Sequence, residues 1–166
     1  MADVECIALD GQLRLVPASE LIMRPAAYAL ILWDGKILLL RMKHTGKYHP
    51  PGGGVHPDER IEQALKRETR EETGIQIEVG KLAHFDELFF YYDPSRRAYH
   101  GLHFYYYCYT KTQDLIRDDQ VEDGSTGQPR WVPIQDLSAE EFQSKGDVIL
   151  ELCKHFPDRE TRVFDH

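Results

Sequence analysis

Apolar and polar residues alternate in short runs along most of this chain, and turn dipeptides break the runs at regular intervals. Residues 4–9 and 12–16 flank Asp10-Gly11, and residues 27–33 and 36–42 flank Asp34-Gly35. Asp-Gly between two such runs signals a hairpin, because tight primed turns need residues that accept φ > 0. Two hairpins are therefore predicted, followed by extended segments at 76–79 and 83–92, a turn at Asp93-Pro94-Ser95, and a ring-rich strand over 102–110. Between them the period changes to that of a helix. Ile61, Ala64 and Leu65 form one stripe over residues 58–73, with Asp58 as the expected cap behind Pro57 and Gly74 as the left-handed stop. Residues 114–128 are polar and contain Gly-Ser-Thr-Gly, which predicts a mobile loop. Residues 130–134 return as a strand anchored by Trp131. Ser138 with Glu141 reads as a capping box opening a C-terminal helix that runs to about residue 156, with a break near Gly146. The pattern predicts an α/β fold, a mixed sheet with helices on both faces.

Composition narrows the class. With 166 residues, 42% of them hydrophobic, and no linker or charge block, the chain is expected to form one domain, in which residues 1–22 are an N-terminal hairpin extension. A net charge of −8 argues against a protein that tracks long nucleic acid. Cys6, Cys108 and Cys153 lack metal or redox spacing and read as reduced thiols. No leader pattern or membrane-length apolar run is seen, so the expected location is cytoplasmic.

The predicted helix carries the chemistry. Continuing the stripe of Ile61, Ala64 and Leu65 by threes and fours leads to Glu68, Glu71 and Glu72, so an apolar face turns acidic, while Lys66, Arg67 and Arg70 point toward solvent. Three inward carboxylates repel unless a cation sits among them. Oxygen-only donors suit Mg²⁺ or Mn²⁺. The bland alternative is a solvated, salt-bridged helix. Pro50-Pro51-Gly52-Gly53-Gly54 directly before the helix favours the metal, since Gly52, Gly53 and Gly54 let the backbone approach a ligand closely.

Gly53, Glu59, Arg67, Glu68, Glu71, Glu72, Gly74 and Ile75 stand in the register G-x5-E-x7-R-E-U-x-E-E-x-G-U, with Thr69 in place of the first apolar U. This 53–75 segment resembles the signature of the Nudix hydrolases. The resemblance implies an α/β/α sandwich and metal-dependent pyrophosphohydrolysis, in which water attacks phosphorus in a nucleoside diphosphate linked to another group. Glu71 and Glu72 would then be metal ligands with the Gly53 carbonyl, Glu68 a ligand or the general base, and Arg67 and Glu59 the residues that orient the set. Some members take the base from a distant loop; Glu122 is the candidate here, with Asp118, Asp119 and Asp123 as rivals.

The substrate signal is thinner. Arg41 and Lys43, at alternate positions of one strand, are expected to meet phosphates, as are Lys47 or the Arg96-Arg97 tip. Tyr91 or Tyr92 resembles the tyrosine marker of diadenosine polyphosphate members. The histidines lack partners at metal-ligand spacing and read as bland. The expected partner is a small nucleotide, with no membrane contact and homodimer formation left open. Two other readings are a Nudix-fold regulator that binds a nucleotide without turnover and a related prenyl diphosphate isomerase, which would need a catalytic cysteine.

Overall fold

The computed structural model describes residues 2–121 and 126–157. Both Asp-Gly turns form. Strand β1 (Asp3–Ala8) folds back antiparallel on β2 (Leu13–Pro17), with Ile7 opposite Leu13. Strand β3 (Ile22–Trp33) passes through Asp34 and Gly35, at φ 48° and 70°, into β4 (Lys36–Met42). This second hairpin is shorter in pairing than its sequence suggests. Only Leu32 with Ile37 and Trp33 with Lys36 are paired across it, because β3 and β4 then take other neighbours.

Those neighbours are β5 (Tyr48–His49), β6 (Gly52–Gly54), β7 (Glu78–Tyr92), β8 (Arg97–Tyr109) and β9 (Thr126–Pro133). Strand β3 runs parallel to β8 from Ile22 opposite Tyr99 to Ile31 opposite Cys108, and antiparallel to β6 at Ala26, Ala27 and Tyr28. Strand β4 pairs with β5 and β9. The sheet order is β2-β1-β7-β8-β3-β4-β5, with β6 joined to β3 and β9 to β4. Side chains of β3 alternate between two cores, as the period of two requires. Ala27, Ala29 and Ile31 pack with Leu38 and Cys108 under helix α1 (Ile61–Thr73), which contributes Leu65. Leu30 packs with Leu39, Tyr105 and Tyr107 under helix α2 (Gly146–Lys154), which contributes Ile149 and Cys153. The result is the expected α/β/α sandwich around a mixed, curled sheet.

Three local expectations are corrected. Helix α1 begins at Ile61, not near Asp58: Arg60 is its cap, and the Arg60 N–H donates to Gln63 Oε1 at 2.8 Å. The chain before it is held in a separate turn, in which the His56 N–H donates to Glu59 Oε1 at 3.0 Å and the Glu59 N–H to the His56 carbonyl at 3.2 Å. The Ser138–Glu141 pair closes only one 3-10 turn (Ala139–Glu141), and α2 starts afresh at Gly146 after Lys145 at φ 56°. Of the predicted loop 114–128, Thr126, Gly127 and Gln128 already belong to β9, and residues 122–125 lie outside the described residues. Its first part docks on α1, with the Ile116 N–H donating to the Thr73 carbonyl at 3.0 Å.

Candidate active site

Strand β6 consists of three glycines, and each meets a different constraint. Gly52 has φ 140°, and a Cβ there would stand 2.0 Å from the Ala27 carbonyl oxygen. A Cβ on Gly53 would fall 2.9 Å from the Glu68 carboxylate carbon, and one on Gly54 would fall 3.1 Å from an Arg24 guanidinium nitrogen. The strand is thus a bare backbone partition with Glu68 against one residue and Arg24 against the next.

Helix α1 aims its acids at this partition. Glu72, 1% exposed, accepts the Gly52 N–H at 2.8 Å on one oxygen and the Thr126 hydroxyl at 3.0 Å on the other. It ties the helix to β6 and β9. Thr69 is fully buried, as an apolar residue would be at that position, and its main-chain carbonyl accepts the Thr73 hydroxyl at 2.6 Å.

Arg67 does not point to solvent as the helical wheel predicts. Its side chain is 25% exposed and bonded to Glu59, Glu68 and Glu71. The wheel misses this because the three carboxylates, one of them outside the helix, outbid water for a guanidinium with five fixed donors. The bonds from Arg67 hold the Glu59 carboxyl down to about 2, helped by the His56 N–H and opposed by burial. The same contacts hold Arg67 firmly protonated.

Glu68, Glu71 and the three glycines border a cleft of about 1070 Å³. Arg24, Tyr28, Phe90, Tyr91, Tyr99, His103 and the β1–β2 loop from Ile7 to Gly11 also line it. Tyr91 and Tyr92 both border it; Arg41 and Lys43 do not. Arg41 donates to the Gly46 carbonyl at 2.7 Å and the Tyr48 hydroxyl at 2.8 Å, and lies 4.3 Å over the Tyr48 ring. Lys43 falls beyond the end of β4, so the alternation that was to align it with Arg41 has stopped; Met42, between them, faces the cleft instead. Lys47 borders the cleft, whereas Arg96, at φ 52° in the β7–β8 turn, and Arg97 do not.

Glu122 and Asp123 lie outside the described residues. Asp118 and Asp119 form an exposed 3-10 turn, with Asp119 paired to Arg117 at 3.3 Å. Sequence reasoning missed Arg24, Tyr28 and His103. Arg24 and Tyr28 are four apart on β3, on the face that points into the cleft, but the strand was expected to begin only after Pro25. Among the described residues no three His, Cys, Asp or Glu side chains stand together as a ready metal cage. Arg67 spans Glu68 and Glu71, and Glu72 is turned to Gly52 and Thr126.

Residues 23–153, which contain the glycine strand, the acidic helix and the Glu59–Arg67 pair, match the NUDIX domain family model. The chain belongs to the Nudix hydrolase family. It is 30% identical over 119 residues to the nucleoside triphosphatase NudI of Salmonella typhimurium, covering 66% of this chain and 84% of that one. Among solved structures it is similar to a MutT Nudix hydrolase from Burkholderia pseudomallei, at 25% identity and TM-score 0.64 over 79% of this chain and 98% of that one. A Nudix hydrolase from Nitrosomonas europaea aligns at 22% identity and TM-score 0.65, covering 87% and 99%. The β1–β2 hairpin of this Nudix hydrolase lies outside the family match.

Proposed function

We propose that this Nudix hydrolase is a Mg²⁺- or Mn²⁺-dependent pyrophosphohydrolase that cleaves a nucleoside diphosphate linked to another moiety, a nucleoside triphosphate foremost. The observation that carries the reading is a carboxylate pair, Glu68 and Glu71, beside a bare glycine strand in a cleft also lined by Arg24, Lys47 and aromatic rings. The name of the Salmonella relative supports a triphosphate over dinucleoside polyphosphates and nucleotide sugars.

The residues fit a hard divalent cation. Their donors are all oxygen, the missing Cβ of Gly53 leaves its backbone against Glu68, and the way Arg67 bridges Glu68 and Glu71 marks a place that demands positive charge. Glu68, Glu71, Glu72 and the Gly53 carbonyl would hold the ion. When bound, it neutralises phosphate charge and lowers the pKa of coordinated water. Arg67, fixed by Glu59, orients Glu68 and Glu71. Glu68, on a rigid helix, takes the proton from the attacking water, with Glu122 as the rival base. Arg24 and Lys47 bind phosphate oxygens, and the rings of Tyr28, Phe90 and Tyr99 shelter the nucleoside.

The isomerase reading loses support because Cys6, Cys108 and Cys153 are all buried and burial raises each thiol, Cys153 to about 11. A screen of nucleoside triphosphates, dinucleoside polyphosphates and nucleotide sugars with Mg²⁺, reading phosphate and pyrophosphate release, tests the proposal. Metal-dependent release from a triphosphate is expected. No release from any of the three classes overturns it.

A further inference from the structure

His103 stands on β8 at the wall of the cleft, opposite Ala26 of β3 and Asp86 of β7. It is 7% exposed, and its Nε2, itself sealed from solvent, has no hydrogen-bond partner among the described residues. The imidazole extends over Gly101: a Cβ added there would lie 2.8 Å from Nε2 and 2.9 Å from the Phe90 ring. The absence of a side chain at Gly101 therefore makes the room that this ring fills. Tyr28 meets it edge-on at 5.3 Å and Phe90 at 6.1 Å. Rings cannot satisfy a buried ring nitrogen, and such a group normally finds a partner.

The charge state limits what that partner can be. Burial, then the nearby Arg24 and Lys145, push the His103 pKa down to about 4 against the opposing pull of Asp86, which is itself paired with Lys145 at 2.5 Å. The ring is uncharged at neutral pH, with one nitrogen a donor and the other an acceptor. It is unsuited to clamping phosphate. Arg24, beside Gly54 and 5.8 Å from the Tyr99 ring centroid, already supplies a cation to the cleft. An uncharged donor–acceptor set among aromatic faces matches a flat heterocycle that stacks and offers polar atoms along its edge.

We propose that His103 is a specificity-determining residue whose imidazole, turned out from its seat over Gly101 when substrate binds, hydrogen-bonds the edge of the nucleobase through Nε2. The proposal rests on the reading of this cleft as a nucleotide site and adds which residue reads the base.

The test compares the wild type with His103→Ala and His103→Gln on triphosphates of the four common bases and on base-free ribose 5-triphosphate, measuring kcat and KM separately. His103→Ala is expected to lower kcat/KM for the preferred base by about tenfold or more, mainly through KM, and to flatten the ranking among bases. Ribose 5-triphosphate should be turned over within about twofold of wild type, and Gln, whose amide can stand in for Nε2, should restore part of the ranking. An unchanged ranking, or an equal loss on every substrate including the base-free one, overturns the proposal and makes His103 a packing residue. Calorimetric binding of α,β-methylene nucleotide analogues separates the two readings. If no substrate is hydrolysed, the proposed activity fails. Base-dependent loss of binding in His103→Ala then still upholds the role of His103, and base-independent binding rejects it.

Discussion

Arg67 grips Glu59 in a two-pronged pair, Nη2 to Oε1 at 2.7 Å and Nε to Oε2 at 3.1 Å, while its Nη1 reaches Glu68 at 2.8 Å and Glu71 at 3.1 Å. One planar group thereby fixes three carboxylates, one from the turn before α1 and two from α1 itself. Lysine, a point charge without the fork, cannot reproduce this.

Acid sensitivity follows from that pair. Folding lowers the Glu59 carboxyl from 4.5 to about 2, so the stabilisation it brings is complete above about pH 4.5 and disappears as the pH falls through about 2. Glu59→Gln should cost about 1.5–3 kcal/mol at neutral pH, the range for a hydrogen bond to a charged group. The gap between mutant and wild type should close in urea titrations carried stepwise toward pH 2. A gap that stays constant with pH would show that the loss is not ionic.

Gly52 and Gly53, adjacent in sequence, should respond differently to the same change. At Gly52 an added methyl meets backbone, the Ala27 oxygen at 2.0 Å, and the conformation at φ 140° disfavours any side chain. Gly52→Ala should melt far below wild type or fail to fold. At Gly53 the obstacle is the movable end of Glu68, so Gly53→Ala should keep its melting temperature within a few degrees while kcat falls by about a hundredfold or more, as for loss of a positioned catalytic group. Full activity in Gly53→Ala would contradict the placement of Glu68 at the reacting centre.

Metal dependence has a readout apart from turnover. Excess chelator should abolish activity, and Mg²⁺ or Mn²⁺ should restore it. Without substrate, Mg²⁺ at about a hundredfold over its Kd should stabilise the fold by about 2.7 kcal/mol, seen as a raised melting temperature. Glu68→Gln with Glu71→Gln should remove that shift. Undiminished activity in chelator would defeat the metal mechanism.

The identity of the base separates two mutants. If Glu68 activates the water, Glu68→Gln should lower kcat by about a hundredfold or more and Glu122→Gln by only a few fold, and the order reverses if Glu122 is the base. Small, equal losses would reject both. The pH dependence of kcat for the less affected mutant then reports the base that remains.

Legibility in the sequence tracked how local each determinant is. The Asp-Gly turns and the αL stop at Gly74 follow from nearest neighbours, and both were readable. The ends of elements were not. Asp58 is a good cap by composition, yet the turn that brings Glu59 to Arg67 takes precedence, and Arg60 caps instead. The cleft's cationic wall was misread for a similar reason. Arg41 and Lys43 obey strand alternation on paper, but β4 ends at Met42 and Tyr48 captures Arg41. Arg24 and His103 reach the cleft through the parallel pairing of β3 with β8, a contact between segments about eighty residues apart that no local pattern encodes.

The N-terminal hairpin also has a consequence for the order of events during synthesis. Its internal pairing is complete once residue 17 is available, but its seat on the domain is β7, through Ile7 beside Phe90, Ala8 beside Tyr91, and the Leu9 N–H and Arg14 side chain on Asp93. At about 5–20 residues per second, a ribosome takes roughly four to fifteen seconds to deliver that seat after the hairpin has left the tunnel. Throughout that interval Cys6 and Val16, buried in the finished protein, lack the Ala98 and Tyr91 side chains that pack against them, beside Leu13 and Leu15, which stay exposed even at the end. The hairpin, made before its seat, is thus a waiting surface in the nascent chain, and the lining it gives the cleft is in place only after β7 arrives.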